Sequence, residues 1–546
     1  MTKWSEKHEK ISQNQFGFQK GKSTVDCIFV FYSIITKVLH SGKKLYCCFL
    51  DYQKAFDLIS RPLLWHKLLL ENVSLKVVNA IKSMYSVVKS CIKYRSSFSD
   101  FVDSHAGVKQ GDPGSPLMFM MFINDLEKNI NSDIDNIFTL NELKLFILLY
   151  ADDSVIFALS PESLQSMLND VQLYCNTWGL KVNTTKTKIM IFEKGISRNT
   201  SYNFMYNDNI LEVVNSFKYL GIHFFKNGKW FRTQKRIAQH ASFALHNLFS
   251  IINQVELTTS EKCKLFDTLV SSVLNYSSEV WGFHEAKDIE IVHTKFCRKI
   301  LCVKKSTNLT GLYGELGRAP LLINRKLNMI KYWLKIIKSK DNSLVKTIYL
   351  LLKNDVDNNN SYNGLNWAFQ VKCILDQIGM HDYWLNQFDA DYININLIKQ
   401  RIFDIYHQSW YADINNSNRF ETYSRFKHTF QVETYLNILL DKKFRISLSK
   451  FRLSSHNLAI ERGRYENIPR NERKCIFCNL NVIESEYHLL LVCPFYIELR
   501  RKYFKPYFCH WPTLNKLDKL MASQSKCTIL NLSKFIYFAF KKRDDA

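Results

Sequence analysis

The sequence predicts an α+β fold: a split βαβ (ferredoxin-like) sheet first, then a mostly helical remainder with a small metal-binding module near the C-terminus. Three observations predict it. Strand-length and helix-period apolar runs follow one another from Leu45 to Phe192 in the order strand, helices, hairpin, helix, strand. After Phe224 the apolar period becomes that of helices, and Cys475, Cys478, His488 and Cys493 fall at metal-ligand spacing.

Cys27 to Leu39 reads as a helix, and Leu45 to Asp51 as a buried strand that ends in a carboxylate. Ser115-Pro116 has N-cap and N1 chemistry, and the apolar positions that follow carry a helix to about Ile130. Leu145 to Tyr150 and Val155 to Leu159 are strands separated by Ala-Asp-Asp-Ser, a tight hairpin with two carboxylates at its tip. A helix starts at Ser160-Pro161, keeps its rhythm through Leu164, Met167, Leu168, Val171 and Cys175, and stops at Gly179; a strand from Thr187 to Phe192 follows. In a split βαβ sheet the first strand and the hairpin lie side by side, so Asp51 and Asp152 are expected to converge. Further on, Ile237, Ala241, Ala244, Leu248 and Ile251 trace one helical face. Asn354 to Gly364 reads as a linker and Asp413 to Asn418 as a shorter one.

The chain has 546 residues, enough for several domains, and with 46% hydrophobic residues wholesale disorder is excluded. Its 74 Lys+Arg against 50 Asp+Glu leave a formal charge of +24, which suits a polyanionic partner, nucleic acid before others. The charged start MTKWSEKHEK has no signal-peptide core, and no run approaches the ~18 apolar residues of a membrane span. Fourteen dispersed cysteines fit a reducing compartment, nucleus or cytoplasm, rather than a disulfide scaffold.

Carboxylates at adjacent strand ends suit a two-metal site, in which two Mg²⁺ ions ~3.5–4 Å apart share anionic oxygens. Asp51, Asp152 and Asp153 are the candidates, although an Asp-Asp pair alone also marks a solvated turn. Their surroundings carry a resemblance. Phe49-Leu50-Asp51-Tyr52-Gln53-Lys54-Ala55-Phe56-Asp57, Gly107-Val108-Lys109-Gln110-Gly111-Asp112-Pro113 and Tyr150-Ala151-Asp152-Asp153 resemble, in order, motifs A, B and C of reverse transcriptases, above all those of non-LTR (LINE-type) retrotransposons. Gln15-Phe16-Gly17-Phe18, Ser23-Thr24-Val25-Asp26, Trp178 to Asn183, Lys186-Thr187-Lys188 and Phe217 to Gly221 support it, and Glu279 to Gly282 and Glu315 to Arg318 extend it toward the C-terminal cysteines.

The resemblance implies a right-hand polymerase: partial fingers and palm over 1–225, a helical thumb and connection over 226–353, a linker over 354–364, a helical region over 365–450 and a basic zinc-binding module over 451–546. It implies Asp51, Asp152 and Asp153 as Mg²⁺ ligands, and Lys186 as the group that protonates pyrophosphate. Tyr52, Phe56, Gln110 and Gly111 would bind the nucleotide, Phe56 by crowding a 2′-hydroxyl; Phe217, Lys218, Tyr219, Leu220 and Gly221 would grip the primer. Template RNA, a DNA primer or nicked target DNA, and deoxynucleoside triphosphates are the partners it implies. Gly114 and Met120 stand where related enzymes usually carry Leu and Asn. The basic fingers residues and an endonuclease would lie before residue 1, so the expectation is an N-terminally truncated chain that extends primers weakly by itself.

Cys475-x2-Cys478-x9-His488-x4-Cys493 supplies three thiolates and an imidazole, a set that closes a tetrahedral structural Zn²⁺ site, with His510 a possible substitute ligand. Arg462, Arg464, Arg470 and Arg473, interleaved with Tyr465 and Phe477, suit phosphate contact and base stacking, and would equally form a solvated face. Arg452 to His456 and Glu461 to Arg464 resemble segments of the LINE-type cysteine-rich module. The alternatives are an inactive remnant that keeps RNA binding through this module, and a maturase- or telomerase-like polymerase, which does not predict the cysteine cluster.

Overall fold

Leu45–Leu50, buried at every position, is β1, the middle strand of a five-stranded sheet in the computed structural model. The structure describes residues 1–130, 138–140, 143–195, 202–283, 285–358, 366–389, 392–439 and 441–546. Helix α1 (Thr24–His40) precedes β1, and α2 (Ser115–Ile123), β2 (Ile147–Tyr150), β3 (Asp153–Ala158), α3 (Pro161–Trp178), β4 (Lys188–Phe192) and β5 (Glu212–Val214) follow. The sheet order is β5-β4-β1-β3-β2; β1 is antiparallel to β4 and β3, and β5 joins β4 in parallel. Without β5 this is the split βαβ order. The edge strand β5 follows the last strand that the sequence predicts, and its residues are mostly exposed, so no apolar run announces it.

Alternation along β1 gives the two faces of the sheet different tasks. Tyr46, Cys48, Leu50 and Tyr52 share one core with Phe119 and Phe122 of α2 and Leu168, Val171 and Cys175 of α3. On the other face, Phe49 meets Phe31 of α1, whose ring also packs edge-on against Phe192 and Phe224. Asp51, two residues beyond Phe49, emerges on the face opposite α2 and α3.

Helix α2 begins one residue earlier than the sequence predicts. Gly114 is its N-cap and Ser115 its first residue, because the Ser115 hydroxyl donates to the Lys109 carbonyl (2.6 Å) instead of capping. The helix ends at Ile123, and a separate short helix covers Leu126–Asn129. Helix α3 stops at Gly179 (φ +68°), the left-handed residue that the sequence predicts.

By its internal contacts the chain forms two units, each discontinuous in sequence. One comprises Met1–Thr233, Ser277–His284 and Asn328–Ile393; the other comprises Gln234–Tyr276, Glu285–Leu327 and Asn394–Ala546. Within the first, Asp26 of α1 holds the Ser23 amide (2.7 Å), the Tyr332 hydroxyl (3.0 Å) and the Lys335 ammonium (2.6 Å), so the Ser23 to Asp26 segment serves architecture. The linker expected from Asn354 begins inside a helix, Leu344–Asp357, held by buried Leu351, Leu352 and Val356; residues 359–365 lie outside the described residues. The shorter linker expected from Asp413 is helical through Asn416, since Trp410 and Ile414, one turn apart, are both buried.

The second unit is helical around buried ion pairs. Glu315, fully buried, accepts from the Arg452 guanidinium (3.0 Å) and the Tyr435 hydroxyl (2.7 Å). Gly317 (φ +57°) lies so close to the 431–432 backbone that a Cβ would come within 2.5 Å of the Val432 amide. Among the described residues no helix is long and apolar enough to cross a membrane.

Candidate active site and candidate metal centre

The registers of β1 bring the polar residues together. Leu50 pairs with Ser154 and Phe49 with Lys188, so continuing the first register by one residue and the second by two sets Asp51 between Asp153 of β3 and Lys186 before β4. The Lys186 ammonium stands 3.8 Å from the Asp51 carboxylate, and the Thr187 hydroxyl accepts from the Asp51 amide (3.1 Å). Between β2 and β3 the turn is only Ala151 and Asp152, because Tyr150 pairs with Asp153. Asp152 is therefore at the exposed tip, one residue from the strand end that faces Asp51.

The three carboxylates sense one another. Partial burial, then the negative charges of Asp152 and Asp51, push the Asp153 carboxyl up to about 6. Among the described residues, the C-terminal Cys/His set is the group of three or more His, Cys, Asp or Glu side chains gathered closely enough to hold a metal ion, and the three aspartates are not gathered in that way.

A cleft of about 540 Å³ opens on this face, lined by Asp51, Asp153, Lys186, Lys188, Phe217 and Tyr219 among others. Asp152, Tyr52, Phe56, Gln110 and Gly111 are not part of its lining. Its far wall is the hairpin of β6 (Ser216–Tyr219) and β7 (Ile222–Phe225), whose turn residues Leu220 (φ +46°) and Gly221 (φ +83°) are both left-handed. Phe217 stacks on Phe49, the Tyr219 hydroxyl lies 3.4 Å from the buried Cys27 thiol, and Lys218 is exposed.

The remaining residues sit around the opposite core. Tyr52 is buried (5% exposed) beside Val182, and burial pushes its hydroxyl well up. Phe56 stacks on Phe119 of α2, centroids 4.6 Å apart. The Gln110 amide donates to Asp57 (2.8 Å), tying the turn before α2 to the end of the β1 segment. Gly111 has φ +84° and open space where a Cβ would be, so its backbone conformation, not a clash, calls for glycine. Thr187 and Lys188, the latter paired with Glu212 (2.7 Å), are site residues whose part is legible only from the register.

In the second unit, Cys475 Sγ and Cys493 Sγ are 4.0 Å apart and Cys478 Sγ is 3.4 Å from His488 Nε2. All four ligand atoms lie within 4.8 Å of one another, and His510 is outside the group. This cluster could hold a metal ion. Burial, and then neighbouring thiols, push Cys493 up to about 12, so this thiol keeps its proton at neutral pH unless a cation takes its place. The loop is fastened from beneath: His456 meets Glu486 (3.0 Å), and Glu484 binds Arg543 and the Ala459 amide. The four expected nucleic-acid arginines all lie beside protein partners: Arg462, Arg464 and Arg470 form ion pairs with Glu466, Glu461 and Glu421, and Arg473 donates to the carbonyls of Ile460 and Ile468.

The family described as "Reverse transcriptase (RNA-dependent DNA polymerase)" matches residues 2–224. The chain is 25% identical over 325 residues to the probable RNA-directed DNA polymerase from transposon BS of Drosophila melanogaster, covering 56% of this chain and 34% of that protein. It is 25% identical over 303 residues to the RNA-directed DNA polymerase from mobile element jockey of Drosophila funebris, covering 53% and 32%. A Pol polyprotein from the type-1 retrotransposable element R2 of Nasonia vitripennis is 27% identical over 188 residues, covering 33% and 18%. The chain spans about a third of the length of the first two relatives. A telomerase structure from Candida albicans, in complex with a fragment of telomeric RNA, overlays with a TM-score of 0.29 at 13% identity, covering 64% of this chain and 55% of that one, too loose an overlay to argue from. Residues 2–224 thus match the reverse transcriptase family, and the relatives found are named as RNA-directed DNA polymerases of mobile elements.

Proposed function

We propose that the chain copies an RNA template by adding deoxynucleotides to a DNA 3′ end, with residues 1–225 as palm and partial fingers and residues 226–353 as helical thumb and connection. The observation that carries the reading is the row Lys186, Asp51, Asp153 across one sheet face, with Asp152 at the adjoining tip. Carboxylates that repel one another are a fitting donor set for hard divalent cations, and Asp51, Asp152 and Asp153 would hold two Mg²⁺ ions. When bound, those ions neutralise charge on the transferring phosphate and lower the pKa of the attacking hydroxyl.

The chain's own residues do the rest. Asp51 and Asp153, fixed by strand register, set the position of the acceptor end relative to the phosphate. Lys186, exposed and mobile, holds the proton that the departing pyrophosphate takes from its Nζ. Phe56, braced by Phe119, would limit the space beside the ribose, and Gly111 would let backbone approach the base pair. Lys218 would meet the primer phosphate beside Phe217.

For the second unit we propose one structural Zn²⁺. A tetrahedral zinc with ~2.3 Å bonds to sulfur and ~2.0 Å to nitrogen sets its ligands roughly 3.5–3.8 Å apart, which the 4.0 and 3.4 Å separations match.

Primer extension on an RNA template tests the polymerase reading. Extension should require Mg²⁺ and fall at least about a thousandfold for Asp51→Asn or Asp152→Asn, each of which removes a charge that balances the metal. Extension unchanged by both substitutions would overturn it.

A further inference from the structure

The tip that carries Asp152 does not hold its own shape. Ala151 is an alanine with φ +58°, a left-handed conformation that costs a non-glycine residue free energy unless its surroundings impose it. Those surroundings are residues 10–17, which lie alongside the hairpin as a strap. Asn124 accepts from the Ser12 amide and donates to the Lys10 carbonyl, both at 2.8 Å, and Glu127 accepts from the Ser12 hydroxyl and the Asn14 side-chain amide, both at 2.7 Å. The strap then runs parallel to β2: the Leu149 amide donates to the Asn14 carbonyl (2.9 Å) and the Phe16 amide to the Leu149 carbonyl (2.7 Å).

At the tip the contacts become specific. Gln15, 1% exposed, accepts through one oxygen from the Gly17 amide (2.9 Å) and the Ala151 amide (3.0 Å). Both partners are donors, so this atom must be the carbonyl oxygen of the side chain. The strap is braced in turn, since the Gln15 main-chain carbonyl accepts from Gln19 (2.6 Å) and Lys22 (2.8 Å). Gly17 lies against the turn so closely that a Cβ there would come within 2.4 Å of the Ala151 nitrogen and 3.0 Å of the Tyr150 carbonyl carbon.

We propose that Gln15 and Gly17 are positioning residues for Asp152: by taking the Ala151 amide and by leaving room for it, they set where the adjoining carboxylate stands relative to Asp51. This rests on the polymerase reading of the site. It gives the Gln15-Phe16-Gly17-Phe18 segment a mechanical task.

The test uses the full chain and two readouts besides activity: hydrogen exchange of the Ala151 amide, and Mn²⁺ binding followed by electron paramagnetic resonance. Gln15→Met keeps length and burial but loses the acceptor, whereas Gln15→Glu keeps the acceptor. Gln15→Met should exchange the Ala151 amide at least about tenfold faster and weaken Mn²⁺ binding about tenfold, with little change in thermal midpoint, and Gln15→Glu should restore amide protection. If Gln15→Met does not fold, Gly17→Ala, which leaves both acceptances by Gln15 chemically possible and perturbs only the close approach, should show the same two changes. Wild-type exchange and wild-type Mn²⁺ affinity in these variants would overturn the proposal. Asp152→Asn separates it from the reading beneath it: loss of Mn²⁺ binding with Ala151 still protected supports both, and unchanged Mn²⁺ binding in Asp152→Asn would sink the metal-site reading, and with it the task proposed for the strap.

Discussion

Phe217 lies flat on Phe49, ring centroids 4.2 Å apart and planes 14° from parallel, which fastens the β6–β7 hairpin to the strand that ends in Asp51. Aromatic pairs of this kind contribute roughly 0.5–1.5 kcal/mol beyond the area they bury. The stack therefore couples the expected primer-holding hairpin to the carboxylate two residues beyond Phe49. Phe217→Ala should lower the unfolding midpoint of the chain by a few degrees and raise the KM for primer several-fold, more than that for nucleotide. Equal effects on both KM values would mean that the hairpin only supports the fold.

Asp153 ties stability to pH. Its folded pKa of about 6 lies above the ordinary carboxyl value of 3.8, so between those limits the folded state binds more protons and stability falls as pH rises. Near pH 3 and below, the carboxyl is protonated in both states and costs nothing; well above pH 6 its full repulsion with Asp51 and Asp152 is present. Asp153→Asn should therefore stabilise the metal-free chain at pH 7.5 by about 1 kcal/mol, a figure discounted for solvent screening because the group is partly exposed. Thermal melts at pH 3 and 7.5, with and without Mg²⁺, check this; the gain should vanish at pH 3 and shrink when Mg²⁺ neutralises the site.

Lys186 is 69% exposed and 3.8 Å from Asp51, a placement that suits the proposed proton donor to departing pyrophosphate. Lys186→Ala should cut kcat for extension about a hundredfold while the KM for nucleotide moves only a few-fold, as removal of a general acid predicts. A loss confined to KM would make it a phosphate-binding residue instead.

The first unit was legible in the sequence where one segment decides its own structure. The apolar run Leu45–Leu50, the Ser160-Pro161 start and Gly179 stop of α3, and the hairpin around Ala151-Asp152 each carry local signals, and each forms as expected. What escaped is what depends on a distant partner. The exposed edge strand β5 exists because β4 offers it an unpaired edge. The Gln15–Leu149 bridge joins positions that no local pattern relates. Polar Asn354 and Asp357 look like a linker until buried Val356 between them holds the helix in place. In the site, the aspartates and Lys186 were legible as motif positions, but only the register of β1 shows that Asp153, not Asp152, stands directly across from Asp51.

The cysteine cluster makes the last prediction, because its protein surroundings are already satisfied. Glu484 and Glu486 bind Arg543 and His456, and the Arg500 guanidinium beside Cys493 donates to the carbonyls of Leu489, Val492 and Cys493, so these charges are already engaged where Cys475, Cys478, His488 and Cys493 gather. Zinc would displace the thiol protons, close the tetrahedron and contribute on the order of 10 kcal/mol of apparent free energy near neutral pH, as in small zinc modules. The full chain, purified reduced, should carry about one zinc, with Cys478→Ser retaining far less. Chelation should speed hydrogen exchange across 475–493 while the β1–β3 pairing in the first unit keeps its protection. Lowering the pH should release the metal, since protons compete for three thiolates and an imidazole at once. Reduced protein with no zinc, or a Cys478→Ser chain that keeps it, would return the four residues to the status of buried thiols beside a histidine.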